Sequence, residues 1–249
     1  MPVRNMRGKT LTLLIVLLAS GLSIPAFSGD SHNRAFQAML EREVFTYTVT
    51  YGNNTPIGEL EVNVSSQGNA VLVISSLKIS NALARLFLDE YIIRNRFHMD
   101  HGQLVLVSGE ASNLGSSEIV SSYVIDREKG VIQYPGQESI TIPADVKFDT
   151  LDFPIVMSTA DPESLAGTSV LIVGHTKASL YHYEAPQEET ITLQGKQYDA
   201  LKVTRNKSGE SGRQVSVWLT NDAKRIPLRI VSSKRGMDSI FEIKEPPGG

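Results

Sequence analysis

The sequence contains no cysteine and a single tryptophan, Trp218. A chain without cysteine forms no disulfide bonds, so buried apolar area and hydrogen bonds must stabilise it. It also lacks the residue that carries the lipid of a bacterial lipoprotein. An excess of basic residues is missing too, because 24 Lys and Arg stand against 27 Asp and Glu, for a formal net charge of −3. We therefore expect no nucleic-acid partner, and an anionic membrane surface repels such a protein on average.

The amino terminus has the pattern of a secretory signal peptide. Three basic residues occur in the first nine positions, an apolar run follows over residues 11–18, and small residues come next. This order predicts a signal peptide over residues 1–28, with cleavage between Ser28 and Gly29. An uncleaved membrane anchor is the alternative, but the apolar run is shorter than the roughly 20 residues of a bilayer span. The mature chain has no other such run, so we expect a periplasmic protein without a transmembrane segment.

Short alternating runs dominate the mature chain. In FTYTVTY, residues 45–51, the aromatic residues and Val49 fall on one face and the threonines on the other, as in a half-buried strand. ELEVNV, residues 59–64, alternates in the same way after the turn GNNTPIG, which predicts an antiparallel hairpin. Similar runs continue to the carboxyl terminus. The pattern predicts an all-β, mainly antiparallel fold with a strongly curved sheet, either a half-barrel or sandwich-like.

Three stretches depart from this pattern. SNALARLFLDE predicts one short helix near residues 80–89, with Asn81 as its cap, although a strand is the alternative. The polar lead-in over residues 29–39 is expected to be loose or helical. The proline-containing stretch over residues 143–167 is expected to cross between parts of the fold. Residues 29–249 therefore form either a single β-rich domain or two halves joined by this crossover.

The stretch VSVWLTNDAKRIPLRIV, residues 215–231, reads as two strands and a turn. Asn221 and Asp222 suit the turn because their side chains bind nearby backbone. The simplest interpretation is a hairpin whose loop carries Lys224 and Arg225 into water. In the alternative, Trp218, Arg225 and Arg229 form a stacking and anion-binding face on one exposed side of neighbouring strands, to which Lys202 also contributes.

This passage resembles a family of exported bacterial proteins, the domain of unknown function 3108. The similar motif comprises WLT, Asp222 and RIPLRI, and the likeness extends to GKQYDALKVT, GTSVLIVGHTKASLYHY and the first hairpin, in the same order. The resemblance implies a curved antiparallel β-sheet module of the cell envelope, akin in shape to periplasmic lipoprotein carriers whose half-barrels hold acyl chains. It implies no activity, because the family has no settled one. The crossover departs from the family pattern, so no role is assigned to it.

No group of residues has a catalytic or metal-binding signature. His98 and His101 flank Asp100, but only a turn brings them together, and no cysteine assists. The nucleophile elbow of serine hydrolases is absent. Four acidic residues in the crossover are expected to be solvated: Asp149, Asp152, Asp161 and Glu163. We therefore predict no catalytic residue, no metal ligand and no cofactor.

The remaining candidates are aromatic and apolar residues. A curved sheet has a concave face that must meet a covering element, a ligand or a partner, and the sequence offers little helix to cover it. We interpret the protein as a non-catalytic periplasmic module that binds a lipid or lipid-linked envelope component on this face. The predicted ligand-binding residues are Tyr47, Tyr123, Trp218, Arg225 and Arg229. The alternative is a scaffold that contacts an envelope protein through a sheet edge, and an envelope hydrolase would need carboxylates or histidines converging in a cleft.

Overall fold

The structure, a computed structural model, describes residues 30–52, 55–86, 90–100, 103–143, 147–148, 162–209 and 212–247. The predicted signal peptide, the cleavage site between Ser28 and Gly29, and residues 144–146 and 149–161 of the predicted crossover lie outside these ranges.

One α-helix, α1 (Asp30–Arg42), precedes sixteen β-strands in the part of the chain that the structure describes. The strands are β1 (Val44–Tyr51), β2 (Thr55–Gln67), β3 (Ala70–Ile79), β4 (Tyr91–Asp100), β5 (Gln103–Asn113), β6 (Ile119–Asp126), β7 (Val131–Gln133), β8 (Ile140–Thr141), β9 (Lys147–Phe148), β10 (Ser169–Val173), β11 (Ala178–Tyr183), β12 (Gln187–Leu193), β13 (Lys196–Lys207), β14 (Arg213–Thr220), β15 (Pro227–Lys234) and β16 (Met237–Ile243). Two short 3-10 turns, Ala84–Leu86 and Pro162–Leu165, complete the described elements.

All sixteen strands belong to one sheet. Its order is β8-β7-β6-β5-β4-β3-β2-β1-β16-β15-β14-β13-β11-β10-β9, and β12 pairs with the first half of β13 beside β11. Neighbours are antiparallel, apart from β9, which runs parallel to β10. The predicted all-β, mainly antiparallel fold class is therefore confirmed.

The chain connectivity requires this sheet to curl. The strands β8 and β9 are the two ends of the strand order, yet only 147 − 141 = 6 residue steps separate Thr141 from Lys147. Six steps span at most about 20 Å, whereas fifteen strands laid flat extend over roughly 67 Å at about 4.8 Å per neighbour. The two ends must therefore approach each other. A hydrogen bond from Tyr134 Oη to the carbonyl oxygen of Gly174, 2.9 Å long, joins the β7 side to the β10 side.

The curled sheet buries its inner face. Along β1 the side chains of Phe45, Tyr47 and Val49 are at most 1% exposed, and the threonines between them are partly exposed. The same alternation continues across the sheet, so one face of nearly every strand contributes to a single apolar core. The predicted curved sheet with an apolar concave face follows from this pattern.

Helix α1 covers part of the sheet. Phe36 and Met39 lie on one side of the helix and are 7% and 0% exposed, because they pack into the core beside β2. The lead-in predicted as loose or helical is therefore helical over Asp30–Arg42. No helix in the described ranges is both apolar enough and long enough to cross a bilayer.

The short helix predicted near residues 80–89 is a single 3-10 turn, Ala84–Leu86, within the described part of that stretch. Asn81 caps it as expected, because its Oδ1 accepts hydrogen bonds from the backbone N–H groups of Leu83 and Ala84, each at 3.0 Å. The turn buries no apolar face, since Leu83 and Leu86 are 72% and 68% exposed.

Gly58 lies in β2 where this strand approaches β3 too closely for a larger side chain. It pairs with Val49 and Ile79, next to a register shift in β1. A Cβ atom at Gly58 lies 2.0 Å from the carbonyl oxygen of Lys78. We expect Gly58→Ala to lower the free energy of unfolding by about 3 kcal/mol, because the backbone of β3 must move. Urea denaturation of the two proteins measures this loss.

Gly52→Ala is the matched control. Gly52 has a φ of +61° and open space around its Cβ position, so only backbone strain of about 1 kcal/mol is expected there. An equal loss at both glycines contradicts the close approach of β2 to β3.

Candidate functional site

A cavity of about 440 Å³ lies where helix α1 meets the sheet. Its volume falls within the range of roughly 300–1,000 Å³ of small-molecule pockets. Four apolar side chains line it: Phe36 and Leu40 of α1, Val71 of β3 and Met99 of β4. Gln37, Ser66 and Gly68 supply the rest of the lining. The arrangement suits an apolar group, since the flexible thioether of methionine adapts to ligands of different shape.

Val71 links this cavity to the concave face. Its side chain is 2% exposed and pairs across the strands with Phe97, which is also buried. The cavity therefore borders the apolar lining of the curled sheet at Val71. Sequence reasoning missed the contribution of α1, although the spacing of Phe36, Met39 and Leu40 is typical of a helix with one apolar face.

Tyr123, one of the predicted ligand-binding residues, belongs to a polar cluster inside the apolar core. It is 1% exposed, and its hydroxyl donates to Asn95 Oδ1 at 3.0 Å. Its ring lies 6.2 Å from the ring of Tyr134 and 5.3 Å from that of His175. Gly109 pairs with Tyr123 and makes room for it, because a Cβ atom there lies 2.5 Å from the tyrosine ring.

His175 is the buried ionisable group of this cluster. It is 2% exposed, and neither ring nitrogen has a hydrogen-bond partner in the part of the chain that the structure describes. Burial lowers the pKa of His175 from 6.5 to about 3, because the apolar surroundings disfavour the charged imidazolium. The imidazole is therefore neutral at neutral pH.

Tyr47, another predicted ligand-binding residue, also lies on the concave face. It is fully buried, and its hydroxyl donates to the carbonyl oxygen of Pro227 at 3.2 Å. This bond crosses the inner face from β1 to the start of β15. The structure thus places Tyr47 and Tyr123 on the inner face of the same sheet, where each contributes mainly its ring.

Trp218 lies on the opposite face. Its neighbours Val217 and Leu219 point into the core, and the indole lies between two cations. Lys202 Nζ is 5.1 Å and Arg229 Cζ is 6.0 Å from the ring centroid, which are cation–π distances. The convergence of Lys202, Trp218 and Arg229 that the sequence suggested is therefore present.

Carboxylates accompany both of these cations. Lys202 Nζ lies 2.8 Å from Glu189 Oε1, and Arg229 Nε donates to Glu242 Oε1 at 2.7 Å. Glu189 also accepts the indole N–H of Trp218 at 2.7 Å. The hydrogen bonds from Lys202 and then from Trp218 lower the pKa of the Glu189 carboxyl.

The hairpin of β12 and β13 covers this outer face. Arg229 Nη2 donates to the carbonyl oxygen of Thr192, and Gln194 Nε2 donates to that of Lys244 at 2.7 Å. These contacts hold β12 and its turn against β15 and the end of β16. Trp218 is consequently only 9% exposed, and it lies in a covered layer and not on the exposed side considered from the sequence.

Arg225 lies apart from Trp218, in the loop between β14 and β15. The hairpin interpretation of this stretch is confirmed, because β14 pairs antiparallel with β15. Asp222 organises the loop as expected: its Oδ1 accepts the backbone N–H groups of Lys224 and Arg225 at 2.9 and 3.2 Å. Arg225 has a φ of 50°, and its guanidinium contacts Asn221.

Within the described residues, no group of three His, Asp or Glu side chains is placed to hold a metal ion. His98 is exposed, and His101 lies outside the described ranges, as do Asp149, Asp152 and Asp161. The side chain of Glu163 is likewise outside them.

Comparison with known proteins adds a family and two structures. The sequence profile described as "Protein of unknown function (DUF3108)" matches residues 46–236. A search of curated proteins found no match. A β-barrel-like protein of domain of unknown function DUF1849 from Brucella abortus is similar at 7% identity and a TM-score of 0.46, over 81% of this chain and 95% of that one. The Mycobacterium tuberculosis lipoprotein LppX aligns at 11% identity and a TM-score of 0.27, over 88% and 98%. The fold described above stands on the strand pairing of this chain.

The buried His175 predicts a pH-dependent stability. An unfolded histidine binds a proton below pH 6.5, whereas folded His175 does not until about pH 3. Stability is therefore complete above pH 6.5 and is lost as the pH falls, by up to about 1.4 kcal/mol per pH unit. His175→Phe keeps a ring beside Tyr123. We expect it to remove the contribution of His175 to the fall in the free energy of unfolding with decreasing pH. Urea denaturation at a series of pH values from neutral to mildly acidic measures it.

The control is His98→Gln, which removes a histidine at an exposed position and keeps the contribution of His175 to the slope. If His175→Phe shows the wild-type slope, His175 is not held neutral by burial.

Proposed function

We propose that this chain, which belongs to the DUF3108 family by the match over residues 46–236, is a non-catalytic module that binds a hydrophobic or amphipathic component of the cell envelope. The ligand is a lipid or a lipid-linked polymer, and its apolar part lies against the concave face of the curled sheet. Export, predicted from residues 1–28, brings the protein to the compartment where such molecules occur.

The cavity beneath helix α1 is the observation that carries this proposal. It combines a hollow of about 440 Å³ with an apolar lining from Phe36, Leu40, Val71 and Met99. Because Val71 also belongs to the concave face, an acyl chain in the cavity continues along the interior of the sheet. Burying each methylene group contributes about 0.8 kcal/mol to binding.

The side chains along the proposed position of the acyl chain suit ligand binding and not catalysis. The concave face consists mainly of aliphatic and aromatic residues. The hydroxyl groups of Tyr47, Tyr123 and Tyr134 already donate to protein acceptors, so they offer ring surface to a ligand. His175 adds a buried polar group that is neutral at neutral pH.

Uptake of a fluorescent fatty acid tests the proposal. We expect the delipidated mature chain to bind the probe saturably, with one probe per chain. Val71→Phe fills part of the cavity and excludes about two methylene groups, which weakens binding by roughly tenfold. Fluorescence titration measures both affinities, and thermal unfolding verifies that the variant is folded.

Val124→Phe is the matched control, because Val124 points outward from β6 and is 50% exposed. It should bind the probe as the wild-type protein does. If the delipidated wild-type protein takes up no fatty acid, the proposal fails, and equal losses in both variants place the probe outside the cavity.

A second candidate function, a scaffold that contacts a protein through a sheet edge, has support at β6. In the described chain β7 pairs only with Val124–Asp126 of this strand. The first half of β6 therefore pairs on one side only, with β5. Ile119 and Val120 in this half are 53% and 50% exposed. Such an edge can accept a strand of another protein.

Co-purification from envelope extracts separates the two candidates. A scaffold should retain a protein in a fixed ratio, and Val120→Lys should abolish this by adding a charge to the edge. Fatty-acid uptake should survive the substitution. Retention that is insensitive to Val120→Lys, or co-purifying lipid without a protein, contradicts the scaffold.

A further inference from the structure

A row of cations crosses three neighbouring strands at the end of the sheet away from helix α1. Arg213 at the start of β14 lies directly opposite Lys234 at the end of β15. On its other side, Asn206 pairs with Gln214, so the next residue, Lys207, lies beside Arg213. We call Lys207, Arg213 and Lys234 the cationic row.

The cationic row continues the concave face. Side chains two residues apart on a strand share a face, and the row is two positions from Arg205 on β13, Val215 on β14 and Ser232 on β15. These three side chains are 2%, 2% and 4% exposed, so they line the buried interior. Arg213 itself is 6% exposed, whereas Lys207 and Lys234 are only partly buried. The row therefore lies at the rim of the buried interior, next to a further buried cation, Arg205.

Two further cations approach the row from neighbouring turns. Lys177 follows β10, and Arg235 begins the two-residue turn between β15 and β16, where Arg235 and Gly236 have φ of 53° and 78°. Burial lowers the pKa of Lys207, and the charges of Lys177, Arg213 and Lys234 lower it further. Burial also lowers the pKa of Lys234, followed by the charges of Arg213, Arg235 and Lys177. The cations are thus close enough to repel one another.

This concentration of positive charge is local. The whole chain has a net charge of −3. None of the ion pairs between described residues includes Lys177, Lys207, Lys234 or Arg235. Like charges directly opposite each other on adjacent strands destabilise a sheet. A bound anion offsets this repulsion.

We propose that the cationic row binds the anionic head group, a phosphate or a carboxylate, of an amphiphile whose apolar part lies against the concave face. The ammonium groups of Lys207 and Lys234 pair with either anion as point charges, and the guanidinium of Arg213 adds positive charge beside them. The inference rests on the proposed function, because that function supplies the apolar part of the ligand. It adds the charge of the head group and its position at the rim opposite helix α1.

Two probes that differ only in charge test this inference: a fluorescent fatty acid and its methyl ester. The double variant Lys207→Met/Lys234→Met removes two charges from half-exposed positions and retains much of each apolar stem. We expect it to bind the acid about tenfold more weakly and to bind the ester like the wild-type protein. Added salt should weaken binding of the acid by the wild-type protein more than by the variant.

Lys78→Met/Lys224→Met is the matched control, since both lysines are exposed and lie away from the row. It changes the net charge equally and should leave both affinities unchanged. Thermal unfolding supplies a second readout: at low salt, removing Lys234 relieves its repulsion with Arg213, so Lys207→Met/Lys234→Met should melt no lower than the wild-type protein.

The outcomes separate the two proposals. If the wild-type protein binds neither probe, the proposed function fails. If it binds both and the row variant loses neither affinity, or loses both equally, only the head-group inference is overturned. A third outcome is that inorganic phosphate binds the wild-type protein but not the row variant, while both proteins bind the acid equally well. The row is then a site for a free anion, and its assignment to a lipid head group is overturned.

Discussion

The short covalent path from Thr141 to Lys147 joins the two ends of the strand order, and the architecture follows from it. A connection of at most about 20 Å cannot span a flat sheet of this width. The sheet must curl, so each strand acquires an inner and an outer face. The hydrogen bond from Tyr134 to Gly174 and the contact of Tyr123 with His175 hold the two ends together.

Positively charged side chains have different neighbours on the inner and outer faces of the sheet. On the outer face, Lys202 and Arg229 each have a carboxylate, and the hairpin of β12 and β13 covers them, so their charges stabilise the fold locally. At the inner rim, Lys207 and Lys234 face other cations, and no ion pair of the described residues includes them. A charge neutralised by its neighbours contributes mainly to structure, whereas like charges placed side by side repel one another.

The individual strands could be read from the sequence because their signal is local. Alternation in FTYTVTY predicts a strand with Tyr47 inward, and β1 has this burial pattern. Asn81 and Asp222 each form the cap or turn expected of them, since their side chains bind backbone two or three residues away. The contacts of the candidate site could be predicted from the sequence only in part. Trp218 and Arg229 do converge, but the alternation within β14 does not reveal that the preceding hairpin of β12 and β13 folds over its outer face.

The strand periodicity and the turns follow from the order of the residues alone, because each depends on residues close together in the chain. The contacts across the interior, in contrast, form only when the strands assemble into the curled sheet. His175 contacts Tyr123, helix α1 covers one end, and Lys207, Arg213 and Lys234 form one row at the other. Strand order and curl bring these groups together, and neither is encoded in the pattern of any single strand.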